Sequence, residues 1–171
     1  MKTRGFAIAL IVVFVACAVV LGLSGERRGS PRESQTGSSL TAGGVELDLS
    51  VAPVKASSGS PVELRLSVKN VGGRKITFEF NSGQKYDFYI TDTGNRKVWQ
   101  WSTGRSFTEA FEYFSLEAGQ VRSFAETWNG TDDRRFPVSA GKYVVFAVFR
   151  GSWDRVRGPV MVGGIEVGME S

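Results

Sequence analysis

The sequence predicts an all-β domain, closed as a sandwich or barrel and preceded by one N-terminal hydrophobic helix. Three observations predict the β-domain. Apolar and polar residues alternate in short segments from residue 45 onward, turn-forming residues separate those segments, and no sustained helical period interrupts them.

The segments follow in order. Val45, Leu47, Leu49 and Val51 alternate with Glu46, Asp48 and Ser50, which gives one dry and one wet face. Val62, Leu64, Leu66 and Val68 repeat the pattern. Ile76, Phe78 and Phe80 come next, then Tyr86, Phe88 and Ile90, then Val98 to Trp101. Val121 to Trp128, Lys142 to Arg150 and Val160 to Val167 complete the series. Between them, Asn70-Val71-Gly72-Gly73, Asn81-Ser82-Gly83, Asp92-Thr93-Gly94-Asn95 and Asn129-Gly130-Thr131-Asp132 supply residues that tolerate positive φ. Pro61 and Pro159 stand at strand starts, where a missing N–H costs little. Phe107 to Phe114 is expected to form a short helical turn.

The chain divides into residues 1–23, 24–44 and 45–171. Two basic residues, Lys2 and Arg4, precede Phe6 to Leu23, a run of 18 residues without a charge. About 20 apolar residues span a bilayer as a helix, so this run is near the lower limit. Its apolar residues cover every helical face, which excludes a buried core helix in so small a β-domain. Three membrane readings stand: a retained signal anchor, a cleaved secretory signal ending near Gly22, Ser24 and Gly25, and a lipoprotein signal with Cys17 as the lipidated residue. All three place the rest of the chain on the extracytoplasmic side, membrane-anchored or secreted. Residues 24–44 carry only Leu40 and Ala42 as apolar side chains, and are expected to be a flexible linker with an r.m.s. span of roughly 25 Å.

Composition removes several kinds of function. The 171 residues include no His and one Cys, Cys17. A Ser-His-Asp or Cys-His catalytic unit, a Cys/His zinc site and an internal disulfide are all excluded. Five basic residues against two acidic ones give the first 44 residues a net charge of +3, whereas the remainder has 16 basic and 15 acidic residues. The folded part is nearly neutral, which argues against a nucleic-acid surface. No cofactor or metal is expected, and the protein is not expected to be an enzyme.

The middle of the chain resembles a known family. Ser82-Gly83-Gln84, Tyr86-Asp87-Phe88, Asp92 and Gly94, Val98-Trp99 and Trp101-Ser102 recur in fixed order, within FEFNSGQKYDFYITDTGNRKVWQWS. Asn70, Phe107, Ala118-Gly119-Gln120, Phe124, Trp128 and Gly141-Lys142-Tyr143 fit around them. This series is similar to the BsuPI-type domain, named for an intracellular proteinase inhibitor of bacteria. The resemblance covers roughly residues 45 to 150. It implies an immunoglobulin-like antiparallel β-sandwich of about seven to nine strands. For the founding member it implies inhibition of a serine protease, without a reactive loop to carry over. This chain departs from the founder in its membrane segment and linker, which place its target outside the cytoplasm.

The expected function is a non-catalytic protein-binding module at the cell envelope, of proteinase-inhibitor type, acting through loops or a sheet edge on a partner such as a serine protease. The alternative is a structural or adhesive surface domain contacting cell-wall polymer. Candidate binding loops are Arg105-Ser106-Phe107 and the dibasic Arg134-Arg135, each offering an arginine anchor. Ser82 and Gln84 form a third polar candidate, weighed against a plain turn role. Trp99 and Trp101 share a sheet face and are read as core aromatics rather than a stacking platform. Asp132 and Asp133 are read as a solvated loop rather than a Ca²⁺ site, since Arg134 and Arg135 would oppose a cation.

Overall fold

The computed structural model describes residues 36–57 and 59–171, and these form β-strands and connecting turns with no helix. The apolar run Phe6–Leu23 and residues 24–35 lie outside the described residues. Among the described residues, no helix is long and apolar enough to cross a membrane.

Eleven strands follow in chain order: β1 (Thr36–Ala42), β2 (Val45–Ala52), β3 (Lys55–Ser57), β4 (Val62–Asn70), β5 (Ile76–Phe80), β6 (Tyr86–Asp92), β7 (Lys97–Gln100), β8 (Glu112–Leu116), β9 (Val121–Trp128), β10 (Gly141–Phe149) and β11 (Val160–Glu170). A four-stranded sheet has the order β1-β2-β4-β9, and a five-stranded sheet the order β3-β11-β10-β6-β7. β5 and β8 pair as a separate ribbon. The period-two segments bury their apolar side as expected: Val45, Leu49, Val51, Val62, Leu64, Leu66, Phe88, Ile90, Val145 and Phe149 are each 0% exposed. Both larger sheets and the ribbon contribute to one hydrophobic core. Phe78 and Phe80 of the ribbon meet Phe149 edge-on, with centroids 5.3 and 5.5 Å apart.

The structure corrects four expectations. Residues 36–42 of the expected linker form β1, paired with β2 from Thr36↔Val51 to Ala42↔Val45. An edge strand needs backbone partners more than apolar side chains, so the Ser/Gly-rich composition does not prevent it. The strand count is eleven because β1, the three-residue β3 and β8 add to the eight read from alternation. The pairing is not wholly antiparallel. β3 runs parallel to β11, because the chain passes from one sheet to the other after Ala52 without reversing direction. Finally, Phe107 to Phe114 forms no helical turn: its last three residues open β8 instead.

The registers define two poles. Thr36, Ala52, Val62 and Trp128 stand together at one end of the four-stranded sheet. The Trp128 and Tyr143 rings meet there at 5.6 Å, which brings Tyr143 and its partner Asp92 to the same end. This is the N-terminal pole, where the first described residue lies. At the distal pole are the β1–β2 turn, Tyr86, Phe149 and Val160. The Trp153 Nε1–H points to the carbonyl oxygens of Ala42 and Gly43 at 3.3 and 3.2 Å, and so clamps that turn.

Candidate functional site

At the distal pole the chain between β7 and β8 runs without regular structure. Its start is fixed by Asp87, a buried carboxylate 2% exposed. Asp87 accepts hydrogen bonds from Ser102 Oγ (2.6 Å), Gln100 Nε2 (2.7 Å), Gln84 Nε2 (3.1 Å) and the Ser102 amide (3.2 Å). A carboxylate held by several donors meets the need of a buried charge for partners. Ser82 Oγ accepts from the Gln84 amide at 3.3 Å. Ser82 and Gln84 therefore build the knot beneath the loop, which is the turn role weighed for them.

The far end of the same loop is also tied. The Gly83 amide donates to the Thr108 carbonyl at 2.9 Å. Thr108 Oγ1 donates to Glu112 at 3.2 Å, and Lys85 Nζ pairs with the same carboxylate. That pairing, together with the Thr108 contact, holds the Glu112 carboxyl below its ordinary range, with the Lys85 hydrogen bond the largest cause. Past the Thr108 tie the chain presents Phe111, 65% exposed, and then Tyr113 of β8, 59% exposed.

Arg105 does not project as a free anchor. Its Nε–H donates to the Trp101 carbonyl at 2.9 Å, and its guanidinium lies over the Trp101 ring at 4.5 Å. The residues before it form a turn, with Gly104 at φ 73°. Ser106 is exposed, and Phe107 tilts against Trp101 at 5.7 Å. Trp101 also stacks on Tyr86, which stacks on Phe124, each pair at 4.6 Å. Trp99 and Trp101 are half-buried and pack on the core, as read from the sequence. The Tyr86 hydroxyl donates to Glu126 at 2.5 Å. Burial first, and then this carboxylate, push the Tyr86 phenol far above its ordinary value.

Arg134 and Arg135 lie at the other end of the molecule, in the loop that follows β9 at the N-terminal pole. The structure therefore does not bring the two arginine-bearing candidates together. Asp132 Oδ1 accepts from the amides of Arg134 and Phe136, both at 2.9 Å. The Asp132 amide donates to the Phe136 carbonyl at 2.8 Å, and Arg135 takes φ 69°. A proteinase cleft binds an extended segment by strand-like pairing. A left-handed Arg135 inside a closed loop has the wrong backbone for that role.

The loop Asp92–Arg96 repeats this geometry. Asp92 Oδ1 accepts from the Gly94 and Arg96 amides at 3.0 and 2.9 Å, the Asp92 amide donates to the Arg96 carbonyl, and Asn95 takes φ 62°. Backbone donors are the main cause holding both aspartates below the ordinary carboxylate range. Sequence reading placed a turn at Asp92–Asn95 and a solvated loop at Asp132–Arg135 but missed that the two share one geometry, and it missed the exposed Phe111. The spacing of Asp to the left-handed residue, three positions on in both loops, was the available signal.

Asp133 closes the free edge of β7. Its amide donates to the Val98 carbonyl at 3.1 Å, and its Oδ1 accepts from the Gln100 amide at 2.8 Å. Strand addition on that edge is blocked. Among the described residues no cluster of three or more His, Cys, Asp or Glu residues is placed to hold a metal ion.

The family model for the intracellular proteinase inhibitor, BsuPI, matches residues 47–153, and the chain belongs to that family. No curated protein sequence matches the chain. Among solved structures, the C-terminal domain of wzt is similar with TM-score 0.47 and 16% identity, covering 83% of this chain and 80% of that one. Spo0M, the sporulation control protein of Bacillus subtilis, has TM-score 0.45 and 12% identity, covering 76% and 51%. A β-glucosidase, EmGH1 of Erythrobacter marinus, has TM-score 0.41 and 15% identity over 80% of this chain, which spans only 15% of the enzyme.

Proposed function

We propose that this domain is an immunoglobulin-like sandwich acting as a non-catalytic proteinase inhibitor at the cell envelope, through the distal loop from Ser102 to Glu112. Family membership supplies the class of partner, a proteinase. One observation carries the choice of loop: Asp87 ties it at Ser102, Gly83 at Thr108 and Lys85 at Glu112, and Phe111 is presented between the last two. A loop ordered before binding loses little conformational freedom when a cleft closes on it. An exposed phenylalanine offers a large apolar anchor.

The envelope location rests on the apolar run Phe6–Leu23 with Lys2 and Arg4 before it. The family's description as intracellular stands against it. Alkaline extraction of membranes, with protease accessibility on intact cells, decides between them.

The inhibitor reading is tested by titrating the full chain, in mild detergent, against a panel of serine proteases with small chromogenic substrates. Saturable inhibition is expected. Phe111→Ala is expected to weaken it at least about tenfold, the scale of an interface hot spot. Arg105→Ala has a smaller effect, because that side chain is folded onto Trp101. Absence of inhibition across the panel, with the fold intact, removes the proposal.

A further inference from the structure

We propose that the N-terminal pole is a membrane-surface contact, in which the twin loops Asp92–Arg96 and Asp132–Phe136 lay Arg96, Lys97, Arg134, Arg135 and Phe136 on anionic lipid headgroups. This rests on the reading of Phe6–Leu23 as a membrane segment.

Three observations carry it. The first is the arrangement of charge. In both loops Oδ1 of the aspartate turns inward onto backbone amides, its Oδ2 takes the Nε–H of Arg96 at 3.0 Å or of Arg134 at 3.4 Å, and the rest of each guanidinium extends outward. The side chains of Arg96 and Arg134 are 83% and 81% exposed, whereas those of Asp92 and Asp132 are 26% and 23% exposed. Asp133 likewise spends its oxygens on the Gln100 amide and Lys97. Arg135 enters no ion pair among the described residues. Within the two loops the acids are held inward and the bases outward, a pattern that attracts anions although the summed charge is small; Glu63 and Glu170 are exposed at the same pole, outside the loops.

The second is Phe136, 63% exposed beside Arg134 and Arg135. An exposed aromatic flanked by arginines suits the headgroup layer, where an apolar ring and cations are both accommodated. The left-handed Arg135, between Arg134 and Phe136, fixes the shape of the tip.

The third is chain length. Only residues 24–35 separate Leu23 from Thr36, and twelve residues reach about 40 Å at full extension. Because β1 begins at the N-terminal pole, residues 24–35 join the domain at the same end as the twin loops. The cations and Phe136 are thus held within reach of the bilayer, and the distal loop points the other way.

The test uses the full chain with Cys17→Ser, carrying a polarity-sensitive dye at Phe136→Cys or, as control, at Thr103→Cys on the distal loop. The protein is reconstituted into phosphatidylglycerol or phosphatidylcholine vesicles. A blue shift at position 136 in phosphatidylglycerol alone, absent at 103 and reversed by high salt, is the expected result. Arg134→Gln and Arg135→Asn are expected to lower the docked-to-free ratio about fivefold each. Asn is chosen at 135 because it tolerates the left-handed backbone. A chain that survives alkaline washing of the vesicles but keeps an aqueous signal at 136 overturns the contact and leaves the anchor standing. An equal shift in both lipids overturns recognition by charge. A chain that washes off overturns the anchor, and the contact with it.

Discussion

Ser102 Oγ donates to the buried carboxylate of Asp87 at 2.6 Å, and so joins the start of the distal loop to strand β6. Removing the acceptor strands every donor around it. Asp87→Ala is expected to cost about 3 kcal/mol by urea denaturation, and Ser102→Ala about 1.5 kcal/mol. Limited proteolysis supplies a second readout, with faster cleavage between residues 103 and 111 in both variants. Unchanged cleavage there would separate the knot from the loop it is argued to hold.

The twin aspartates shape the acid limb of stability. Asp92 and Asp132 are held below 3.8 chiefly by backbone amides, so the folded state binds fewer protons than the unfolded chain. Their stabilisation is complete above pH 3.8 and is lost as pH falls through the lower folded values. Asp92→Asn and Asp132→Asn are therefore expected to flatten the fall in Tm below about pH 4. A parallel curve for the double variant would contradict this.

Tyr86 governs the alkaline side. Burial and Glu126 raise its phenol, so the folded state holds its proton where the unfolded chain has lost it. The contribution is full below the unfolded value of about 10 and is lost as pH rises toward the folded one. Tyr86→Phe keeps the stacking on Trp101 and Phe124 but removes the hydroxyl contact, for about 1 kcal/mol near neutrality. Ultraviolet titration of phenolate should show one tyrosine fewer in the late-ionising group.

Gly43→Ala tests the clamp on the β1–β2 turn. The glycine takes φ 53°, and an added Cβ would stand 2.8 Å from Trp153 Nε1 and from Val156 Cγ2. Loss of more than about 1 kcal/mol is expected, with a change in Trp153 fluorescence. Gly59→Ala, at φ 83° with nothing near its Cβ, isolates the backbone cost from the steric one.

Alternation made the inner strands legible. Val45 to Val51 and Val62 to Val68 bury one side each because both face the core and pair with each other. β1 was hidden because Gly37, Ser38 and Ser39 read as linker, and its pairing with β2 is a backbone property. The helical turn expected at Phe107–Phe114 came from aromatics at 107, 111 and 114, which imitate helical spacing. In the structure these residues serve three purposes: Phe107 packs on Trp101, Phe111 faces solvent, and Phe114 stacks on Phe80. Ser82 and Gln84 stood out as polar residues, but Asp87 gathers Gln84, Gln100 and Ser102 only through the register of β6 with β7. Local sequence carries no trace of that register.

Asp133 stands where a neighbouring strand would otherwise hydrogen-bond to Val98 and Gln100. One residue, through its amide and its carboxylate, thus seals a rim of the larger sheet against passing unfolded chains, with no helix or proline enlisted for the purpose. The carboxylate half of that seal is removed by a single mutation, which frees the Gln100 amide. Asp133→Ala is expected to yield a folded protein that is monodisperse when freshly prepared and then self-associates on standing, so that light scattering rises while circular dichroism is unchanged. Colloidal behaviour is therefore set at this sheet edge.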